Sequence, residues 1–198
     1  MGYYVRKIYI QPPFLELETK KDLLESFKPS VHLSSKYKNW ITKLDLKTCL
    51  ICRSMHGKIY LAEDFAILEP PIHPNCRCTI ELMKAITVGT ATINGIDGAD
   101  WWIKFTGKLP DYYVSQKELE NLGWRRGNKV SKFIEKKMLF GGVYKNKNNH
   151  LPETKNRIWY EADINYTQGK RNSQRILWSN DGLIFVTYDH YQTFYEIV

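Results

Sequence analysis

The sequence predicts an α+β protein in which helices pack on an antiparallel β-sheet, preceded by a small cysteine-rich module. Helical patterns occupy the start of the C-terminal half, four strand-like segments follow them, and all four cysteines lie within residues 48–80. Helices followed by a run of strands are typical of this fold class. We therefore expect two units, residues 1–88, which contain the cysteine-rich module, and residues 90–198.

The composition is that of an ordered protein with a modest positive charge. Of 198 residues, 43% are hydrophobic and 25% are charged, which excludes general disorder. The net charge of +8 favours acidic partners such as nucleic acid. No uncharged apolar run approaches the roughly 18 residues of a membrane span, and the first residues lack the apolar core of a secretory signal. We expect a chain without a membrane partner that begins in a cytoplasm.

The first unit is expected to be mostly irregular. One short helix is predicted from Thr19 to Phe27, ended by Pro29. Residues 49–83 are rich in turn residues, and their prolines lack backbone donors, so we expect an extended loop rather than the interior of a sheet. Residues 84–93 have the composition of a connector.

The cysteines form two closely spaced pairs. Two residues separate Cys49 from Cys52, one separates Cys76 from Cys78, and His73 lies three residues before Cys76. Such pairs suit tetrahedral zinc, because each short spacing lets one turn offer two soft ligands. The four cysteines are therefore candidate zinc ligands, with His73 as a substitute. Disulfides and buried reduced thiols are the alternatives.

The second unit begins with three predicted helices. The first spans Asp97–Thr106, where apolar residues recur at helical spacing and Gly107 ends the pattern. Ser115 and Glu118 form a capping box at the start of the second helix, and Gly123 suits its end. A third short helix is predicted over Asn128–Ile134.

Four strands are predicted after these helices. Asn180-Asp181-Gly182 is a hairpin turn signal between two of them, which indicates an antiparallel meander. The predicted strands are Arg157–Ile164, Ser173–Ser179, Leu183–Thr187 and Tyr191–Ile197.

Strand alternation brings charged side chains together. It places Glu161 and Asp163 on one face of the first strand and Arg171 and Arg175 together on the next, about 4.8 Å away. His190 lies at the head of the last strand. A carboxylate base, an imidazole acid and arginines that neutralise a phosphorane are the parts needed to cleave a phosphodiester without metal. The alternative is that the Glu–Arg pairs are structural and the histidine has no role.

Several motifs of the C-terminal half carry a family resemblance. They are Lys108-Leu-Pro-Asp111, Leu122-Gly-Trp124, Gly141-Gly142, Trp159-Tyr-Glu-Ala-Asp-Ile-Asn-Tyr-Thr167, Gly169-Lys-Arg-Asn-Ser173, Arg175-Ile-Leu177 and Asp189-His-Tyr-Gln-Thr-Phe194. With these motifs, residues 91–198 resemble the barnase-type, guanyl-preferring ribonucleases. The resemblance implies a barnase-like arrangement of helices and sheet.

The resemblance also implies catalytic roles. Glu161 matches the general base of that family and His190 its general acid. Arg171 and Arg175 match its phosphate-binding arginines, and Tyr191 matches its base-stacking tyrosine. The implied reaction forms a 2′,3′-cyclic phosphate, which is then hydrolysed more slowly, and it uses no metal or other cofactor.

The guanine-binding loop of the family falls on residues 144–150. Tyr144, Asn146, Lys147 and Asn148 are thus implied to bind the substrate. Asn148 stands where the family has a glutamate that accepts hydrogen bonds from guanine, and an amide offers one acceptor oxygen without charge. The base preference is therefore open.

Two further features follow from the same resemblance. The active-site lysine of the family falls on Gln116, and the neighbouring Lys117 is the candidate that replaces it at the phosphate. A ribonuclease of this type is toxic to the cell that makes it, so an inhibitor is implied. That inhibitor would be a small, acidic, barstar-like protein that covers the basic active-site face.

A second resemblance covers about residues 38–83. It is carried by Thr48-Cys-Leu-Ile-Cys-Arg53, Gly57-Lys58 and Pro70-Pro-Ile-His-Pro-Asn-Cys-Arg-Cys-Thr79. This region resembles the C-terminal segment of phage minor head proteins, which implies phage head proteins as partners. The leading interpretation is a toxin-like ribonuclease in the cytoplasm of its producing or target bacterial cell, or on a virion. The alternative is a structural head protein whose ribonuclease-like half is inactive or only binds RNA.

Overall fold

The structure, a computed structural model, describes residue 22, residues 24–64 and residues 68–198. Most of the helix expected over Thr19–Phe27 lies outside these residues, although residues 24–26 are helical. The described part of the chain is a mixed α and β structure with one large sheet and few helices. After residues 24–26, its α-helices are α1 (Leu50–Met55), α2 (Ala99–Thr106) and α3 (Gln116–Asn121).

Nine strands of the described chain form the sheet, in the order β2-β1-β3-β9-β8-β7-β6-β5-β4. Neighbouring strands are antiparallel except for the pairs β3–β9 and β4–β5. The strands are β1 (Val31–Thr42), β2 (Ile59–Leu61), β3 (Cys78–Ile86), β4 (Tyr113–Ser115), β5 (Met138–Tyr144), β6 (Trp159–Asp163), β7 (Arg175–Ser179), β8 (Ile184–Thr187) and β9 (Tyr195–Ile197).

The irregular first unit expected from the sequence is wrong, because β1 and β3 form a long antiparallel pair within it. The strand pattern was hidden by polar side chains that are buried in β1, namely Ser34, Lys38 and Thr42. Their polar atoms bind partners elsewhere in the fold, as when the Ser34 hydroxyl donates to Glu196 Oε2 at 2.6 Å. Residues 84–86, expected as a connector, belong to β3. The extended loop expected over residues 49–83 is wrong in part, because α1, β2 and the start of β3 lie within it, and only its proline-rich segment 68–77 contains no helix or strand.

The sheet runs across the expected unit boundary at residues 88–90. Ala85 pairs with Glu196 in parallel register, and Ile86 pairs with Ile197. Beyond the strand ends, the Val88 amide donates to the Val198 carbonyl at 2.8 Å. The N-terminal strands therefore extend the sheet of the C-terminal half at its β9 edge.

Both faces of the sheet are covered by apolar side chains from both halves of the chain. The face that carries α2 buries a cluster that includes Ile86, Ala99, Ile103, Ile176 and Val186. The opposite face buries a cluster that includes Tyr37, Met83, Trp159, Leu177 and Phe185. Each fully buried large side chain contributes roughly 1.5–3 kcal/mol, so the contact between the halves is a substantial part of the core.

The helix ends follow local sequence signals. Gly107 ends α2 in the left-handed conformation at φ +70°, and the expected capping box of Ser115 and Glu118 is present at α3. The α-helix begins at Ala99 rather than at the predicted Asp97, which instead ends the 3₁₀ turn Gly95–Asp97. The helix predicted over Asn128–Ile134 is wrong, because only the 3₁₀ turn Val130–Lys132 forms there and no side chain caps it.

The four predicted strands form at the predicted positions and pair antiparallel, but some of them begin or end at other residues than predicted. The Asn180-Asp181-Gly182 turn joins β7 to β8 as expected, with Gly182 at φ +93°. The last strand begins at Tyr195 rather than Tyr191, because the residues before it form a turn. Within the described ranges, no helix combines the length and apolar character needed to cross a bilayer.

Candidate active site

Glu161 lies in the middle of β6, between β7 and a kink in β5. It pairs with Leu177 on one side and with Gly142 on the other, and the register of β5 shifts between Phe140 and Gly142. The residue skipped by that shift is Gly141, where an added Cβ would lie only 2.9 Å from Glu161 Oε1. The missing side chain at Gly141 therefore makes the space into which the Glu161 carboxylate projects.

Tyr191 is the hydrogen-bond donor to that carboxylate. Its hydroxyl donates to Glu161 Oε2 at 2.6 Å, and its ring stacks on Tyr144 with centroids 5.4 Å apart. Burial, together with the Glu161 carboxylate, raises the pKa of Tyr191 well above its usual range. The hydroxyl thus stays protonated at neutral pH and remains a donor.

The turn that carries His190 and Tyr191 is held by a carboxylate. Asp189 Oδ1 accepts hydrogen bonds from the backbone amides of Gln192 and Thr193 and from the Thr187 hydroxyl, at 2.8 to 3.1 Å. Burial opposes ionisation of Asp189, but these hydrogen bonds outweigh it and lower its pKa.

His190 itself lies at the exposed edge of this turn. Its backbone is left-handed at φ +60°, and its amide donates to the Ser173 carbonyl at 3.1 Å. Its imidazole lies beside the Tyr191 ring, with centroids 5.0 Å apart. The carboxylate of Glu161 and the imidazole of His190 therefore both border the same tyrosine.

The two arginines meet at a buried carboxylate rather than at Glu161. Arg171 donates from Nε and Nη2 to the two oxygens of Asp163, at 2.7 and 2.6 Å. Arg175 Nε lies 3.1 Å from Asp163 Oδ1, an ion-pair distance at an angle that makes no hydrogen bond. Among the described residues, neither arginine forms an ion pair with Glu161. Sequence reasoning placed Asp163 on this face but missed its role as their partner.

The arginines differ in how much of each side chain reaches solvent. Arg171 is 24% exposed, whereas Arg175 is 6% exposed and donates to the carbonyls of Asn172 and Gln174. Arg171 is therefore the arginine that remains able to contact a bound phosphate directly.

The loop after β5 is shaped by Asn146. Its buried side chain donates to the Leu151 carbonyl at 2.9 Å and accepts from the Leu151 amide at 3.2 Å. These bonds occupy the amide group, so Asn146 holds the loop in shape rather than presenting a free polar group. Lys147 and Asn148 are exposed on the same loop.

The N-terminal half borders this loop, which the sequence did not indicate. The Ile59 amide of β2 donates to the His150 carbonyl at 2.9 Å. The His150 ring lies beside Gly57 and makes an edge contact with Phe194 at 6.1 Å. Burial lowers the pKa of His150. The loop is thus fixed at one end by a strand from the other half of the chain.

Lys117 lies in the first turn of α3, the helix that directly follows β4. It is exposed on α3 and forms no ion pair with another described residue, while its neighbour Gln116 donates to Glu120 Oε1 at 2.7 Å. A cavity of about 590 Å³ also lies elsewhere, lined by residues such as Tyr160 and Trp178 on the face of the sheet opposite Glu161.

The candidate metal ligands do come together, at the start of α1 and the loop before β3. The four cysteines are free thiols. Together with His73, they form two groups whose ligand atoms lie within 4.8 Å of one another, one of Cys49, Cys52 and His73 and one of Cys52, Cys76 and Cys78. Cys52 is buried and belongs to both groups.

Comparison with known proteins defines the class to which this site belongs. A family model described as ribonuclease matches residues 103–198, which include Glu161, His190 and both arginines. The ribonuclease of Bacillus intermedius is 40% identical over 126 residues, covering 62% of this chain and 76% of that protein. The ribonuclease of Heyndrickxia coagulans is 42% identical over 110 residues, covering 54% of this chain and 99% of that protein.

A further relative, the ribonuclease of Bacillus pumilus, is 38% identical over 130 residues, covering 64% of this chain and 78% of that protein. The chain belongs to the ribonuclease family. Its N-terminal half is similar to a different group, because a family model described as Phage Mu protein F like protein matches residues 23–81.

Proposed function

We propose that this chain is an endoribonuclease of the barnase type that cleaves single-stranded RNA without a metal ion. The observation that carries the proposal is the position of Tyr191, which donates to the Glu161 carboxylate and lies beside the His190 imidazole. The proposal places the scissile phosphodiester between this proton acceptor and this proton donor.

The reaction begins when Glu161 accepts the proton of a ribose 2′-hydroxyl. The 2′-oxygen attacks phosphorus, the bond from phosphorus to the 5′-oxygen breaks, and His190 protonates that leaving oxygen. The products are a 2′,3′-cyclic phosphate and a free 5′-hydroxyl. Water then opens the cyclic phosphate with the two residues in exchanged roles.

The arginines supply the positive charge. Arg171 contacts the phosphate oxygens and offsets the charge that develops on the phosphorane. Arg175 supplies its positive charge without contacting the phosphate, because its side chain is buried and donates to backbone carbonyls. Lys117 is available as a further cation only if α3 and bound RNA approach each other.

Base recognition belongs to the loop of residues 144–150. Tyr144 and Tyr191 offer aromatic faces for stacking, and Lys147 and Asn148 are exposed beside them. The Asn148 amide has one acceptor oxygen and no charge, so it accepts fewer and weaker hydrogen bonds from guanine than a carboxylate does. Comparing cleavage after guanine and after adenine measures the preference.

The decisive experiment compares RNA cleavage by the wild-type chain with Glu161→Gln and His190→Ala. Each substitution is expected to reduce the rate about 10²–10⁴-fold, and EDTA is expected to have no effect on the wild type. Glu120→Gln and His32→Ala make the same chemical changes at exposed positions outside the site and should retain full activity. Equal cleavage by all five proteins would refute the assignment, as would a requirement for added metal.

The similarity of residues 23–81 to Phage Mu protein F-like proteins favours a combined role. We propose a toxin-like enzyme joined to a phage head-like module, acting in a bacterial cytoplasm or carried on a virion and associated with phage head proteins. A small acidic barstar-like inhibitor would protect the producing cell. A purely structural head protein that is inactive or only binds RNA is the second candidate, and the cleavage experiment separates the two.

A further inference from the structure

We propose that the cavity between α2 and the sheet, on the face opposite Glu161, is a second binding site that takes a nucleotide of single-stranded RNA. The cavity measures about 590 Å³, within the range of about 300–1,000 Å³ that is usual for small-ligand sites. Its walls are the end of α2, strands β5 to β8 and the turn between β7 and β8. Because the cavity contains none of the proposed catalytic groups, the inference goes beyond the proposed function.

Three aromatic side chains from neighbouring strands line the cavity together. Tyr160 of β6 pairs directly with Trp178 of β7, and their rings stack with centroids 5.6 Å apart and planes inclined by 29°. Phe140 of β5 lies beside Trp178, with centroids 5.8 Å apart and planes inclined by 32°. All three side chains are only partly buried, so ring surface faces the cavity. Aromatic side chains of this kind stack on any nucleobase, since every base has a π-face.

Two exposed glycines border the cavity. Gly107 ends α2 at φ +70°, and Gly182 lies in the turn between β7 and β8 at φ +93°. A Cβ built at either position would meet no atom within 4 Å. The left-handed backbone at both positions favours glycine, so two points of the rim carry no side chain. The cavity is therefore open to a flat ligand that enters from solvent.

The charge around the cavity favours an anionic ligand. Lys104 lines it from the last turn of α2, and the exposed Lys108 follows directly after Gly107. Neither lysine forms an ion pair with another described residue. None of the described residues that line the cavity is acidic. Asp181, in the adjoining turn, is already paired with Arg157 at 2.7 Å. Rings beside unpaired lysines match the bases and phosphates of a nucleic acid strand.

The uncharged polar side chains of the wall are engaged within the protein. Asn180 Oδ1 accepts from the Ile158 amide at 2.8 Å, and its Nδ2 donates to the Asn156 carbonyl at 3.1 Å. The Ser179 hydroxyl accepts from the Leu183 amide at 2.9 Å. These bonds disfavour a ligand that is held by many directed hydrogen bonds, such as a carbohydrate. Stacking and phosphate charge need no such groups, so we expect binding without preference for one base.

The test follows the indole N–H signal of Trp178 by NMR in the full-length chain. The absence of this signal from the spectrum of Trp178→Phe assigns it. The probe is a 2′-O-methyl tetranucleotide, whose blocked 2′-hydroxyls prevent cleavage. Binding is thus measured whether or not the chain is a ribonuclease, and failure of the proposed function leaves this test intact. We expect the probe to shift the Trp178 signal in a saturable way.

Two variants separate stacking from charge. Tyr160→Leu removes one ring but keeps an apolar side chain, and we expect the Kd reported by Trp178 to rise about 5- to 100-fold. Lys104→Gln changes an exposed side chain, so folding is not at risk. It should reduce the slope of log affinity against log salt by about 0.7, the contribution of one phosphate contact in a single strand. Tyr60→Leu and Lys84→Gln make the same changes in the N-terminal half and should alter neither quantity.

Several outcomes would overturn the proposal. One is a Trp178 signal that does not move at saturating probe. Another is a shift that Tyr160→Leu and Lys104→Gln leave unchanged, because such a shift is relayed from the opposite face of the sheet. Equal binding of a probe that keeps its phosphates but lacks its bases would exclude stacking. A free mononucleotide that binds as tightly as the tetranucleotide, or a neutral oligosaccharide that binds in its place, would assign the cavity to a different ligand.

Discussion

The hydroxyl of Tyr191 donates a hydrogen bond of 2.6 Å to Glu161 Oε2. This bond joins the turn that carries His190 to the middle strand of the candidate site. It fixes the carboxylate and keeps the turn close to β6, so the relative position of the two proposed proton-transfer groups depends on it.

Replacing Tyr191 with Phe tests this relationship. The phenylalanine ring keeps the stack on Tyr144 but removes the hydroxyl, so Glu161 loses a hydrogen bond to its charged carboxylate. Such bonds contribute about 1.5–3 kcal/mol, which corresponds to a fall of about 10- to 100-fold in kcat/KM. Steady-state cleavage of a short RNA measures the effect.

Tyr60→Phe is the control. It removes a hydroxyl that is distant from Tyr191 in the sequence, and we expect no change in kcat/KM. Tyr191→Phe should stay folded, with a denaturation midpoint lowered only by the loss of this one hydrogen bond. Unchanged cleavage by Tyr191→Phe would mean that the hydrogen bond does not position Glu161 for catalysis.

Replacing Gly141 with Ala tests the space that the kink in β5 provides. The added Cβ would lie 2.9 Å from Glu161 Oε1 and 3.0 Å from Glu161 Cγ, so the flexible carboxylate must move. A misplacement of about 1 Å can reduce a rate about 100-fold, and we expect a loss of about 10- to 100-fold in kcat. Stability should change little, because the displaced atoms are the end of one side chain. Val143→Ala, at an exposed position of the same strand, should be fully active, and equal activity of both variants would contradict the prediction.

Replacing Asp163 with Asn tests the buried ion pairs. The substitution leaves Arg171 and the buried Arg175 without their shared negative charge. Removal of one partner from a buried ion pair costs about 3–5 kcal/mol, and we expect the free energy of unfolding in urea to fall by that amount. Asp181→Asn breaks the more exposed pair with Arg157 and should cost about 0–1 kcal/mol. Similar losses in the two variants would show that burial of Asp163 is not important.

Lowering the pH tests the contact between the two halves at His150. Burial and the nearby His56 and Lys58 lower the pKa of His150 below the ordinary value of 6.5. The unfolded chain then binds a proton more readily than the folded chain, so stability is complete above 6.5 and declines as the pH falls through the lowered pKa. Urea unfolding at pH values above and below this range measures the decline.

His150→Gln should remove that part of the pH dependence, whereas the exposed His32→Gln should leave it unchanged. A chain whose stability is constant as the pH falls from 6.5 would contradict the role assigned to His150.

Local signals in the sequence predicted the elements that are stabilised locally. The capping box at Ser115, the glycine end of α2 and the Asn180-Asp181-Gly182 turn each depend on hydrogen bonds between residues a few positions apart. The strand β1 was missed because its buried polar side chains break the apolar alternation, and their partners are far away in sequence. Ser34 and Glu196, for example, are separated by 162 positions.

The sequence by itself determined the types of chemical group in the candidate site and the spacing of the candidate metal ligands. Motifs and strand alternation identify Glu161 and His190 without any knowledge of their contacts. Only the tertiary structure decided that Tyr191 links them, that Asp163 holds both arginines and that a strand of the N-terminal half contacts the loop of residues 144–150. The reason is physical, because these partners are set by strand register and by the packing of distant segments, which no local pattern encodes.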